Sequence, residues 1–270
     1  MRHENKQKNT ALVTGASSGI GFAFCGEFAR LGYPLLMVSN EDEKLKEAAG
    51  DLENKYKVKI TSVCMDLAKN DSALELFNFC EANNINIEIL VNNAGIFFFK
   101  DILDTKLELN EKIINLHCLT PANLSSLFSR KIIADNRKGY ILNMSSISSR
   151  MMMPGIAMYS GTKSFLRNFS RALRNEIFNK GISVTTVSPG AVATNLYNLP
   201  ERYQKLGIFL KVIITPERFA RKAVQKMFNK KAEYIPGGFI NTLFIIIVRS
   251  LPEWLIRIIK KKIDKKLNPL

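Results

Sequence analysis

Histidine is nearly missing from this chain: 270 residues contain only His3 and His117. That scarcity leaves little room for a Ser-His-acid triad or a histidine-rich metal centre. His117 lies in an apolar stretch and reads as a core or helix-face residue. The four cysteines, Cys25, Cys64, Cys80 and Cys118, are widely spaced and form no Cys-x-x-Cys. A disulfide scaffold and a zinc site are therefore both unexpected, and reduced, buried cysteines in a cytoplasmic protein are the plain reading. The stretch Met1 to Asn9 is polar and lacks an apolar h-region, so no secretory signal is expected. Acidic residues are also scarce, 24 against 39 basic ones, and the formal net charge is +15. Such an excess points to an anionic partner: nucleic acid, a membrane surface, or an acidic substrate or cofactor. No helix-turn-helix, RNA-recognition or zinc-finger pattern is present, so nucleic acid is not an expected partner.

What the chain does contain is 46% hydrophobic residues, enough to bury a large core. Short runs rich in Ile, Val and Leu recur at Thr10–Thr14, Pro34–Val38, Val58–Val63, Ile87–Val91, Tyr140–Met144 and Ile182–Val187. Runs of this kind bounded by turn residues are those of parallel strands covered on both faces. Helix-length segments separate them at Ile20–Leu31, Glu41–Lys55, Asp71–Asn83, Leu107–Asp135 and Tyr159–Asn179. The alternation predicts an α/β fold, one doubly wound parallel sheet with right-handed crossovers. It predicts a single domain over residues 9–238 and a C-terminal extension over residues 239–270.

Three features carry chemistry. The first strand runs into Thr14-Gly15-Ala16-Ser17-Ser18-Gly19-Ile20-Gly21, where glycines let the backbone approach a pyrophosphate at the start of a helix. Tyr159 and Lys163 are four residues apart, which on a helix places phenol and ammonium on one face. A cation so placed favours the phenolate and suits the tyrosine to proton transfer. Ser146, 13 positions before Tyr159, supplies a hydroxyl, with Ser145 as the neighbouring alternative. Together with Asn92-Asn93-Ala94-Gly95 and Pro189-Gly190, these features read as a hydride-transfer enzyme.

In this order and spacing the motifs resemble those of the short-chain dehydrogenase/reductases, over residues 9–235. The resemblance implies a Rossmann fold, a nicotinamide cofactor, and a role for each matching position. Gly15, Ser17, Gly19, Ile20 and Gly21 would line the pyrophosphate and nearby ribose, and Asp66 would hydrogen-bond the adenine. The block holding Asn93, Ala94 and Gly95 would flank the adenosine ribose. Pro189, Gly190 and Thr194 would hold the nicotinamide carboxamide. Tyr159 would move the proton, Lys163 would bind the nicotinamide ribose, Ser146 would polarise the carbonyl, and Asn115 would position a relay water. A family member that kept the fold and lost catalysis is the alternative. The family also suggests a homo-oligomer.

The end of the second predicted strand, where NAD enzymes carry a ribose-binding acid, here reads Ser39-Asn40. Glu41 and Asp42 come just after and fit the first turn of the next helix, where the dipole favours carboxylates. Without a repelling acid at the strand end, NADP(H) is favoured and NAD(H) is the alternative, with Asn40 standing where NADP enzymes of the family often carry arginine. Phe97-Phe98-Phe99, Met151-Met152-Met153 and residues 195–215 form the expected pocket walls. Flexible methionines and aromatics suit a long or bulky apolar carbonyl or alcohol: a 3-oxoacyl chain, a sphingoid ketone or a steroid.

The tail is the remaining feature. Phe239–Val248 is strongly apolar, but Arg249 ends the run too early for a bilayer span. Leu251–Leu267 places Leu251, Leu255, Ile258, Ile259, Ile263 and Leu267 near one helical face, with five lysines mostly away from it. Five of the fifteen net positive charges fall from Arg249 onward. Peripheral membrane contact through residues 239–267, at the cytoplasmic face, is one reading of this basic amphipathic segment with Trp254. A dimer-packing helix or a lid over the substrate is the other.

Overall fold

The computed structural model describes residues 8–151, 153–190, 192 and 214–267. Seven parallel strands form one sheet in the order β3-β2-β1-β4-β5-β6-β7. They are β1 Thr10–Thr14, β2 Leu35–Ser39, β3 Ile60–Cys64, β4 Ile87–Asn92, β5 Gly139–Met144, β6 Ile182–Val187 and β7 Glu233–Tyr234. The strand order reverses between β1 and β4, so a crevice opens at their carboxyl ends, the place where open α/β sheets bind ligands.

The period-2 alternation of each strand sorts its side chains to two cores. Ala11, Val13, Leu35, Met37, Ile89 and Val91 face one layer with helices α1 (Gly19–Arg30), α2 (Asp42–Tyr56) and α7 (Pro216–Phe228). Leu12, Leu36, Val38, Leu90 and Ile141 face the other, with α3 (Ser72–Ala82), α5 (Thr120–Ala134) and α6 (Ala157–Glu176). Burial on both faces explains why these strands are uninterrupted apolar runs.

Two expectations shift. The third strand begins at Ile60, not Val58, because α2 ends on Lys57 in the left-handed conformation (φ 55°) and the chain must turn back first. The long helix expected over Leu107–Asp135 is three pieces: α4 (Leu107–Ile114), a π-helical turn (Asn115–Leu119) and α5. The cause lies in Pro121, within the first turn of α5. It has no N–H to donate to the carbonyl of residue 117, and its ring would crowd that carbonyl in a regular helix. Beyond β7 the chain forms α8 (Gly238–Arg249) and α9 (Glu253–Leu267). Lys260 of α9 reaches Asp101 in the loop after β4 at 2.8 Å. Among the described residues, no helix is long and apolar enough to cross a membrane.

Candidate active site

One cleft of about 800 Å³ lies over the carboxyl ends of β1, β4 and β5. Of the residues singled out in the sequence, Gly15, Ser17, Gly19, Ile20, Gly21, Asn40, Asp66, Asn93, Ala94, Gly95, Tyr159, Lys163, Pro189 and Gly190 all line it. Thr194 and Met152 lie outside the described residues, as do positions 195–213 of the expected pocket wall.

The glycine turn is built to leave backbone exposed. Gly15 (φ +64°) and Gly19 (φ +56°) hold left-handed conformations that a β-carbon would strain. A β-carbon on Gly21 would stand 1.9 Å from the Gly15 carbonyl oxygen, so helix α1 packs against the turn only because glycine is there. Asn93 locks the turn from the neighbouring strand: its carboxamide donates to the carbonyls of Thr14 at 2.9 Å and Gly15 at 3.3 Å. Thr14 Oγ1 in turn accepts from the backbone N–H groups of Asn93 and Ala94. The result is a rigid, glycine-faced cradle at the N-terminus of a helix, and its chemistry fits a pyrophosphate. The cleft volume also lies in the range of small-molecule and cofactor sites.

At the outer end of the cleft, Ser39 donates to Ser17 (2.9 Å) and Ser17 donates to Glu41 (3.0 Å). Glu41 and Lys44 both line the cleft and pair with each other. The hydrogen bond from Lys44, then that from Ser17, holds the Glu41 carboxyl below its ordinary range. Glu41, expected from the sequence to belong to the start of the next helix, thus does reach this end of the site, with a lysine attached. Asp66 caps its own turn by accepting from the Ala68 N–H at 3.0 Å.

At the inner end, α6 carries Tyr159 and Lys163, 6% and 5% exposed. Lys163 Nζ donates to the Met144 carbonyl at 2.9 Å and sits 5.7 Å from the centre of the tyrosine ring. Burial pushes its pKa down to about 8, from an ordinary 10.5. The tyrosine ring meets Phe97 edge-on at 5.0 Å and His117 at 5.7 Å.

Ser145 lines the cleft, and its hydroxyl is spent on the Lys163 carbonyl at 2.9 Å. Ser146, 4% exposed and, unlike Ser145, not itself among the residues lining the cleft, caps the short 3-10 turn Ile147–Arg150 by accepting the Ser148 N–H at 3.2 Å. Its own proton has no acceptor among the described residues. Asn115 does not join this group. Its carboxamide points away, donating to the Ala68 carbonyl (3.0 Å) and Asn70 (3.2 Å), and it is absent from the cleft lining. The π turn carries it off the cleft and brings His117 in, a residue that the apolar surroundings had suggested lay in the core or on a helix face.

A second arrangement invisible in sequence is an ion-pair hub behind the site. Glu233 of β7 binds Arg150 at 2.6 Å, Arg167 at 3.2 Å and Ser188 at 3.0 Å. These three partners follow Ser146, follow Lys163 by one helical turn, and precede Pro189. Burial would raise the Glu233 pKa, but the hydrogen bonds and charges of Arg150 and Arg167 outweigh it and hold the carboxyl down.

Residues 9–203 match the family model described as short chain dehydrogenase. A very-long-chain 3-oxoacyl-CoA reductase-B of Danio rerio is 34% identical over 211 residues, 72% of this chain and 66% of that protein. The solved structure of a 7beta-hydroxysteroid dehydrogenase superposes with TM-score 0.81 at 26% identity, covering 93% of this chain and 95% of that one. A short-chain dehydrogenase from Sphingobium yanoikuyae, solved with NADPH, gives TM-score 0.77 at 24% identity over 88% and 92% of the two chains. The matched stretch contains the glycine cradle, Ser146 and the Tyr159–Lys163 pair, and the chain belongs to the short chain dehydrogenase family.

Proposed function

We propose that this protein reduces the oxo group of a long or bulky apolar substrate with NADPH, Tyr159 supplying the proton. The observation that carries the reading is the convergence, in one cleft, of a glycine cradle for pyrophosphate and a buried Tyr159–Lys163 pair. The nicotinamide, when bound, supplies the hydride. The protein's own groups do the rest. Ser146, whose proton is free to donate, polarises the carbonyl and is better suited than Ser145, whose proton is committed to α6. Lys163 brings positive potential beside the phenol and an ammonium to bind a ribose hydroxyl. Pro189 and Gly190 border the nicotinamide end.

The substrate class rests on the wall next to Tyr159. Phe97 meets the tyrosine edge-on, Phe99 packs against Gly155, and Met151 and Met153 stand on the loop after Ser146. The names of the relatives agree with an oxo-lipid, a 3-oxoacyl thioester first and a steroid second. For the cofactor, Lys44 and Asn40 at the ribose end support NADP(H), with Glu41 neutralised by Lys44, and NAD(H) remains the weaker alternative.

Oxidation of NADPH and NADH at 340 nm against a 3-oxoacyl-CoA, a 3-ketosphingoid base, a ketosteroid and a small polar ketone tests this directly. Turnover of a lipid substrate that vanishes in Tyr159→Phe is expected. Good reduction of the small ketone alone would refute the substrate class, and NADH better than NADPH by tenfold in kcat/KM would refute the cofactor preference.

Two partner readings accompany the activity. Exposed Leu243, Ile246 and Ile247 on α8, and Trp254 and Ile258 on α9, beside Arg249, Arg257 and Lys261, support peripheral binding to an anionic membrane. Co-sedimentation with phosphatidylserine vesicles is expected for the full chain and lost when Ile246 and Trp254 are changed to serine. Exposed Leu107, Leu119 and Phe165 on and beside the α4–α6 helices support self-association, which light scattering would measure.

A further inference from the structure

His117 is 1% exposed, yet every polar atom of its ring is used. Nε2 accepts the backbone N–H of Ile96 at 3.0 Å. Nδ1 lies 3.0 Å from the Thr162 hydroxyl oxygen. A backbone N–H can only donate, so Nε2 carries no proton, and a neutral ring must carry it on Nδ1. Nδ1–H therefore donates to Thr162, and the Thr162 hydroxyl passes its own proton on to the Tyr159 carbonyl at 3.0 Å. Each donor meets one acceptor along the whole chain from Ile96 to Tyr159.

Three features of the sequence make room for this chain. Pro121 forces the π turn that aims His117 at the cleft, and such turns are frequent at functional sites. Gly95 lets the ring approach, since a β-carbon there would sit 2.8 Å from Nε2. Thr162 stands one residue before Lys163 on α6. The titratable groups facing the ring are Tyr159 and Lys163, both from α6. Burial first, then the Lys163 charge, holds the pKa of the ring well below its ordinary value.

We infer that His117 is a positioning residue for proton transfer: a neutral imidazole that clamps the loop leaving β4, with Phe97, to the Tyr159 turn of α6. With Phe97 on one side and His117 on another, the phenol is fixed in direction before substrate arrives. The inference rests on Tyr159 as the proton donor. Only a group with an acceptor and a donor in one small plane can serve here, and a carboxamide is the nearest replacement.

Two measurements test it. With only two histidines in the chain, 15N-histidine NMR of the full-length protein resolves His117 from His3 by comparison with His117→Asn. The clamp requires the Nδ1–H tautomer, unchanged from about pH 5.5 to 8, the range in which an ordinary histidine titrates. The Nε2–H tautomer, or protonation within that range, would overturn it. In kinetics, His117→Ala and Thr162→Val should each lower kcat by about tenfold to a hundredfold, as a displaced catalytic group does. Nucleotide Kd should hold within about threefold, the pH profile of kcat should shift, and the double variant should be no worse than the worse single one. His117→Asn should recover part of the loss. A lower Tm with kcat and pH profile unchanged would make His117 an ordinary core residue. Failure of the underlying reading looks different: Tyr159→Phe would then stay active, whereas failure of the clamp alone leaves Tyr159→Phe dead and His117→Ala fully active.

Discussion

The two ends of the cleft are made in different ways. The end proposed to bind the nucleotide is mostly backbone: a turn over residues 15–21, six of which line the cleft, held by Asn93 and closed by helix α1. The reacting end is mostly side chain, and its members come from the loop after β4, the π turn, the end of β5, α6 and, through Glu233, β7. A backbone cradle depends on local conformation and tolerates any side chain that fits. A side-chain constellation depends on several distant packings holding at once. Binding and turnover should therefore separate under mutation.

The largest separation is expected from Tyr159→Phe. It removes one hydroxyl from the reacting end, and kcat should fall by about 10³-fold, within the span attributed to general acid–base groups. Nucleotide Kd, measured by fluorescence titration, should stay within about threefold. Gly21→Ala is the converse. Its β-carbon has no place 1.9 Å from the Gly15 oxygen and 2.7 Å from the Asn93 carboxamide, so the cradle must open. Nucleotide affinity should weaken by at least about tenfold, and a variant that binds normally would show that the cradle is softer than its contacts imply.

A smaller effect tests whether the hub behind the site matters. Glu233→Gln leaves Arg150 and Arg167 without their counter-charge, and a partly buried pair of this kind should cost about 2 kcal/mol, or roughly 5 °C in Tm. The Glu233 carboxyl titrates below its ordinary value in the folded protein. Its contribution is thus present at and above the ordinary carboxylate range and is lost as pH falls through the depressed value. The difference between wild type and variant should accordingly shrink in acid, and a gap independent of pH would point to packing instead.

The smallest effect runs against intuition. Lys163 is buried with its pKa near 8, so between about pH 8 and the ordinary value of 10.5 the unfolded chain holds more protons than the folded one. Stability therefore rises with pH across that window, and below it the buried ammonium is a full cost. Lys163→Met should end turnover yet stabilise the nucleotide-free protein by about 2 kcal/mol at pH 7, after allowance for the lost bond to Met144. The gain should disappear by about pH 10.5. Denaturant melts at three pH values would show it, and a destabilised variant at pH 7 would mean the ammonium is better solvated than its burial indicates.

How far these features could be read in advance follows from the same division. Six strands and the glycine turn announced themselves because buried parallel strands are apolar runs and because a tight turn needs glycine at fixed places. Tyr159 and Lys163 were legible because helical spacing alone puts them on one face. Asn115 and His117 show the limit. They are two residues apart in a stretch that reads as one continuous helix, and which of them enters the cleft depends on a π turn produced by Pro121 downstream. Glu41 shows it again at the outer end, where Ser17 and Lys44 hold in the cleft an acid that stands just before α2.

By itself, then, the order of residues determined the doubly wound sheet, the glycine cradle and the placing of Tyr159 and Lys163 on one helix face, because each is specified by hydrophobic period, glycine placement or i,i+4 spacing. Only the tertiary structure decided that His117 and not Asn115 faces Tyr159, that Ser146 and not Ser145 keeps a proton to give, and that Glu233 ties the reacting segments together. Those outcomes hang on contacts between residues 18 to 83 positions apart, of which no local pattern carries a trace.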